Sequence, residues 1–173
     1  MNGKKSHRYP VFLVILLAGT ALHFLYSLFP SPVTALLAPV DESLFQHAKL
    51  LFWPLLAGAF WLSKWDGTPK TPRLWGLLIG VALMLLAGYV YHVLLGGSAM
   101  WVDIVIYCIT MLIAFLAVPR LFRGIECSNA CRYAAGAAVL AFGFFLLLFT
   151  FRPPANILFQ ELEPAGRIFV LPY

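Results

Sequence analysis

Three histidines, His23, His47 and His92, sit in three separate apolar stretches of the chain, and two carboxylates, Glu42 and Asp103, lie near in sequence to His47 and His92. Zinc favours histidine and carboxylate ligands, and catalytic zinc sites commonly use three protein ligands plus water. A divalent metal on His23, His47 and His92, completed by Glu42 or Asp103, is the sharpest chemistry these residue types offer, although no HExxH or other local ligand spacing accompanies them. A metal-free enzyme would use the same groups differently. Glu42 or Asp103 would be the general base, His47 or His92 its acid–base partner, and Lys49 or Arg152 a clamp for an anion. Ser43 and His47, spaced i, i+4, resemble a nucleophile and base only superficially. The broadest class is non-catalytic: a protein that binds a small ligand, senses the envelope or supports a larger complex. In that class each histidine is a hydrogen-bonded helix contact or an interfacial residue beside Tyr26 or Tyr91.

The elements that position these residues follow from composition. The chain has 173 residues, 62% of them hydrophobic and 11% charged, against about 25% charged in an ordinary soluble domain. Mean hydropathy is +0.88. A water-soluble fold of this size cannot hide that much apolar surface, so a disordered chain, a secreted disulfide scaffold and a nucleic-acid-binding domain are excluded in favour of an integral membrane protein. The expected fold is all-α, a single polytopic helix bundle over 1–173, with the lipid bilayer as its main partner. Five stretches are long enough to cross a hydrocarbon core of about 30 Å: 10–29, 44–62, 74–95, 100–118 and 133–151. The first is too long for a signal-peptide core and lacks a clean small-residue cleavage site, so it reads as a retained helix.

Net charge is +5, and nine of the twelve lysines and arginines fall on one side of these spans: Lys4, Lys5, Arg8, Lys64, Lys70, Arg73, Arg120, Arg123 and Arg132. Lys49, Arg152 and Arg167 remain on the other. The positive-inside rule then places the N-terminus in the cytoplasm and the C-terminus outside, in a multi-pass protein of the cytoplasmic (inner) membrane. Segment 30–43 is expected to be a half-buried interfacial piece on the outer side, and 152–173 an outer tail after the Pro153-Pro154 stop.

Polar residues are confined to the outer halves of the spans. Thr20, His23 and Ser27 share a face of the first, with Tyr26 nearby; Tyr89, Tyr91 and His92 end the third. Asp103, Tyr107 and Thr110 recur at i, i+4, i+7 on the fourth. Ionisable groups in a span are costly and usually face a bundle interior or a wet cavity. The expectation is an outward-facing polar pocket lined by His23, Tyr26, Glu42, Ser43, His47, Lys49, His92, Asp103, Tyr107 and Arg152, open to a lipid or small-molecule ligand. The fifth span, with Phe142, Phe144, Phe145, Phe149 and Phe151, is a lipid-facing or packing wall. A dry cytoplasmic half argues against a pore or transporter for polar solutes.

The densest segment runs from Pro39 to Leu50. Ser43-x-x-Gln46 is a capping box with acidic residues before it, favourable at a helix N-terminus. Lys49 can snorkel outward or pair with Glu42, and Pro54 frees the Leu50 carbonyl. The segment resembles an uncharacterised family of small multi-span bacterial membrane proteins, a domain of unknown function, with a signature near Pro-Val-Asn-Glu-Ser-x-Trp-Glu-His-x-Lys-Leu-x-Phe-x-Pro preceded by His-Phe-x-Tyr. His23, Phe24, Tyr26, Pro39, Val40, Glu42, Ser43, His47, Lys49, Leu50, Phe52 and Pro54 match it, and Phe151-Arg152-Pro153-Pro154 looks similar too. Asp41, Phe45 and Gln46 depart from it, the last removing a carboxylate. The resemblance implies a shared fold and a shared outer site, and no activity.

Two further patterns are weaker. Gly76 and Gly80 form a GxxxG pair, and small residues crowd Ala134–Ala138, spacing that serves close helix packing within the chain or a membrane-protein partner. Cys127 and Cys131 read as surface thiols facing a reducing cytoplasm.

Overall fold

A computed structural model of the chain describes residues 7–122 and 125–161. Lys4, Lys5, Arg123, Arg167 and the tail beyond Glu161 lie outside the described residues. The helices are α1 (Arg8–Leu28), the short α2 (Pro32–Leu37), α3 (Leu44–Asp66), α4 (Thr71–Leu94), α5 (Met100–Leu121) and α6 (Asn129–Phe151). A 3-10 turn at Ile157–Phe159 follows. The last turn of α4, Tyr89–Leu94, and Ile113–Ala117 within α5 are π-helical. Among the described residues the one strand-like feature is an isolated bridge between Ser43 and Glu161.

Local chemistry sets the boundaries. Ser31 caps α2 in a reciprocal box with Thr34, and Pro32 occupies the first turn, where a missing N–H costs nothing. The Ser43 hydroxyl accepts from the Gln46 N–H, as the sequence predicts, and Gly67 ends α3 at φ 63°, a left-handed conformation that suits glycine. Ser128 caps α6.

Four helices, α1, α4, α5 and α6, are long and apolar enough to cross a membrane. Only 17% to 33% of their apolar windows is buried inside the protein. Leu13, Leu17, Phe24, Leu86, Ile104, Leu140 and Phe144 all point outward. Water would not tolerate so continuous an apolar surface, whereas lipid covers it. The fifth long helix, α3, has 23 residues like α6, but Gln46, His47 and Lys49 in its opening turns keep it out of that class. It is also the central helix. Ala48, Leu51, Phe52, Leu55 and Leu62 are buried along it, and it packs against α1, α4 and α6. The least apolar helix is thus the one the other helices shield.

Close approach is built with glycine. The Leu50 carbonyl, released by Pro54, lies against Gly19 of α1, where any Cβ would collide with it and with the Tyr107 hydroxyl. On α4, a Cβ at Gly76 would strike the Ala114 carbonyl and one at Gly80 the Ala114 methyl. The GxxxG pair therefore serves packing of α4 on α5 within one chain. Gly76→Ala is expected to destabilise the folded protein by about 1–3 kcal/mol through overpacking against a backbone that cannot move aside; thermal unfolding in detergent reads it, and an unchanged midpoint would contradict the contact.

The aromatic face of α6 divides. Phe142 and Phe149 pack on Phe45, at 6.2 and 5.8 Å between ring centroids. Phe144, Phe145 and Phe151 are exposed. Phe159, from the turn after α6, covers Phe45 at 4.4 Å.

Candidate metal centre

The start of α3 is the organising point. Asp41 accepts a hydrogen bond from the Ser43 N–H (3.0 Å), closing a turn that presents Glu42. One helical turn on, the His47 Nδ1 lies 2.8 Å from the Ser43 carbonyl. A carbonyl can only accept, so Nδ1 carries a proton, and Nε2, 3.3 Å from Glu42 Oε2, either donates a second proton to that carboxylate or gives it up to a metal. The ring is thereby fixed in direction, the arrangement that metal-ligating histidines usually have behind them.

His23 of α1 stands across from it, with ring centroids 5.5 Å apart. Ligand atoms of His23, Glu42 and His47 all lie within 4.8 Å of one another. The Nδ1 of His23 is buried and has no hydrogen-bond partner. An unmade bond of this kind costs about 1–3 kcal/mol. Glu42 is held below the ordinary carboxylate range, chiefly by its hydrogen bond with His47 and then by the charges of His47 and His23, against opposing desolvation. It is an anion ready for a cation, and the three residues form a mixed imidazole–carboxylate set of the type zinc takes.

His92 is placed elsewhere. The π turn at the end of α4 sets its Nδ1 2.9 Å from the Gly97 carbonyl and its Nε2 2.7 Å from Asp103 Oδ1. Both nitrogens are engaged, so the third histidine of the expected trio is paired with the second carboxylate and is not grouped with His23 and His47. Asp103 is within electrostatic reach of His47. Tyr107 donates to the Leu16 carbonyl (2.8 Å) and ties α5 to α1. Tyr26 is half-buried, one turn from His23, while Thr20 and Ser27 bond back to their own helix. Arg152 is exposed at the end of α6.

Lys49 is fully buried and does not snorkel. Its ammonium donates to the Ala35 carbonyl (2.7 Å) and the Ala38 carbonyl (3.1 Å). One turn further, Trp53 Nε1 donates to the Leu36 carbonyl (3.1 Å). Both side chains thus cap the C-terminal end of α2, whose last carbonyls have no intrahelical partner. The partner that Ala35 would otherwise have is the N–H of residue 39, which is a proline. Asp41 and Trp53 are the residues here that their letters did not single out as a site; their acceptors and donors are main-chain groups, which a sequence does not display.

The chain matches a family of unknown function, DUF6512, over residues 3–167. That span takes in every helix described above. The chain belongs to this family. No curated protein matches it, and no solved structure does. The match agrees with the expectation of an uncharacterised domain family.

Proposed function

We propose that this DUF6512 protein is a five-span protein of the inner membrane, N-terminus in and C-terminus out, that binds a divalent transition metal near the outer surface through His23, Glu42 and His47. The observation that carries this reading is the convergence of three ligand atoms from α1, the α3 entry and α3 within 4.8 Å, with His47 oriented from behind by the Ser43 carbonyl. Counting α3 as a span rests on its length and its shielding by neighbouring helices, which offset the cost of its polar opening. The orientation rests on the nine basic residues that fall on one side of the sequence-predicted spans.

A second reading has one observation in its favour. Three protein ligands leave a coordination position for water, as in catalytic rather than structural zinc sites, and the His92–Asp103 pair stands within electrostatic reach. That supports metal-dependent hydrolysis of a lipid or lipid-linked substrate from the outer leaflet, where the first reading supports ligand binding or sensing alone.

The purified protein is expected to bind about one zinc ion per chain by titration calorimetry, with the ligand distances of a histidine–carboxylate site in X-ray absorption. Binding weakens at least tenfold from pH 7.5 to 5.5, because protons compete for imidazole nitrogens. Glu42 does not set that limit, since its pKa is already lowered and it stays ionised over the window. Absence of stoichiometric zinc at pH 7.5, or affinity flat across that range, would count against the centre.

A further inference from the structure

At the opposite end of the bundle the helix termini enclose a cavity of about 560 Å³. Arg8 enters it from α1, Arg73 from α4, Arg120 from α5 and Arg132 from α6. Among the described residues the carboxylate lining it is Glu126, and the buried Leu62 and Phe115 form part of an apolar floor. Among the described residues, Arg8, Arg120 and Arg132 form no ion pair. The Nε of Arg8 is buried without a hydrogen-bond partner. Arg73 is 8% exposed and donates to the Pro69 carbonyl (3.1 Å), holding the loop that forms one wall.

Topology signalling explains basic residues in loops, but two features exceed it. It does not require side chains from four separate helix ends to meet around one concavity. Nor does it distinguish arginine from lysine, yet among the described residues every basic side chain lining the cavity is arginine, while Lys64 and Lys70 at the same end are outside it. Arginine presents a planar fork of donors that matches the oxygens of a phosphate, and it loses less solvation on burial than lysine. The volume falls within the ordinary range of small-ligand sites.

We infer that this cavity is a binding site for a phosphate ester, held by the guanidinium groups of Arg8, Arg120 and Arg132 above an apolar floor, with Arg73 bracing one wall. A lipid headgroup and a soluble phosphomonoester share that chemistry. The floor suits the first glycerol carbons of either.

The test uses the full-length protein in a phosphate-free maltoside detergent, with a chelator present so that the histidine cluster plays no part. One arm adds soluble glycerol phosphate; the other adds phosphatidylglycerol to the micelles. Saturation in either arm is expected to raise the unfolding midpoint by about 5 °C. A response to the lipid alone identifies a headgroup site, and a response to glycerol phosphate a soluble-ester site. The Arg8→Lys/Arg132→Lys variant keeps charge and topology but loses the forked donors, and should lose most of the rise. Should it fail to fold, Arg120→Lys, at an exposed position, is expected to weaken the response about threefold or more. No midpoint change in either arm, or lysine variants that respond as fully as wild type, would overturn the assignment.

Discussion

Lys49→Met is expected to destabilise the protein by about 3 kcal/mol and to release α2 from α3. Methionine nearly fills the volume of the lysine stem, so no cavity term is added. What is lost is the set of charge-assisted bonds to the carbonyls of Ala35 and Ala38, each worth about 1.5–3 kcal/mol. Part is regained, because the ammonium no longer has to be held away from water. The net sign is set by the carbonyls, which lose these donors: Pro39 has no N–H to offer Ala35 in their place. Denaturant titration in detergent measures the loss. Trp53 gives an independent readout, since its indole N–H is bonded to Leu36 in the same clamp, and its emission should move to the red as α2 lifts away. A variant with wild-type stability and unchanged emission would mean that the clamp does not hold α2.

The second large effect is on metal affinity. His47→Ala should weaken zinc binding at least 100-fold, and His23→Ala similarly, because each removes one of three protein ligands, a larger loss than the 10–100-fold typical of outer-shell changes. Glu42→Gln keeps the shape but removes the anion, and should cost about tenfold or more. The informative contrast is His92→Ala. Both of its nitrogens are occupied by Gly97 and Asp103, so zinc affinity should change by less than about threefold. Calorimetric titration of the four variants decides the matter: loss of binding in the His92 variant with retention in the His47 variant would relocate the centre to the His92–Asp103 pair.

Much of this architecture is legible in the residues themselves. Long apolar runs mark α1, α4, α5 and α6 to within a few residues, because in lipid every backbone group must be satisfied inside the helix and length alone becomes diagnostic. Ser43 and Gln46 announce the start of α3, and Pro153 follows the end of α6. His23, Glu42 and His47 are visible as costly polar groups at similar depth. Three things are not legible. The acceptors of Lys49 are main-chain carbonyls, common to all residues, and only Pro39 hints that one of them lacks a partner. His92 and Asp103 meet because α4 widens into a π turn, for which Tyr89–Leu94 carries no distinctive pattern. The arginine cavity joins positions scattered from Arg8 to Arg132, and each of them alone reads as an ordinary topology signal.

The clamp on α2 also bears on how the chain is made. Ala35 and Ala38 are synthesised before Lys49, so the carbonyls that will receive the ammonium have already emerged from the ribosome when the cation follows. In a chain carrying these residues in reverse order, the positive charge would leave water before anything able to solvate it had been made. Here the turn that supplies both acceptors precedes the cation, so the substitute for its hydration shell is already present when Lys49 follows.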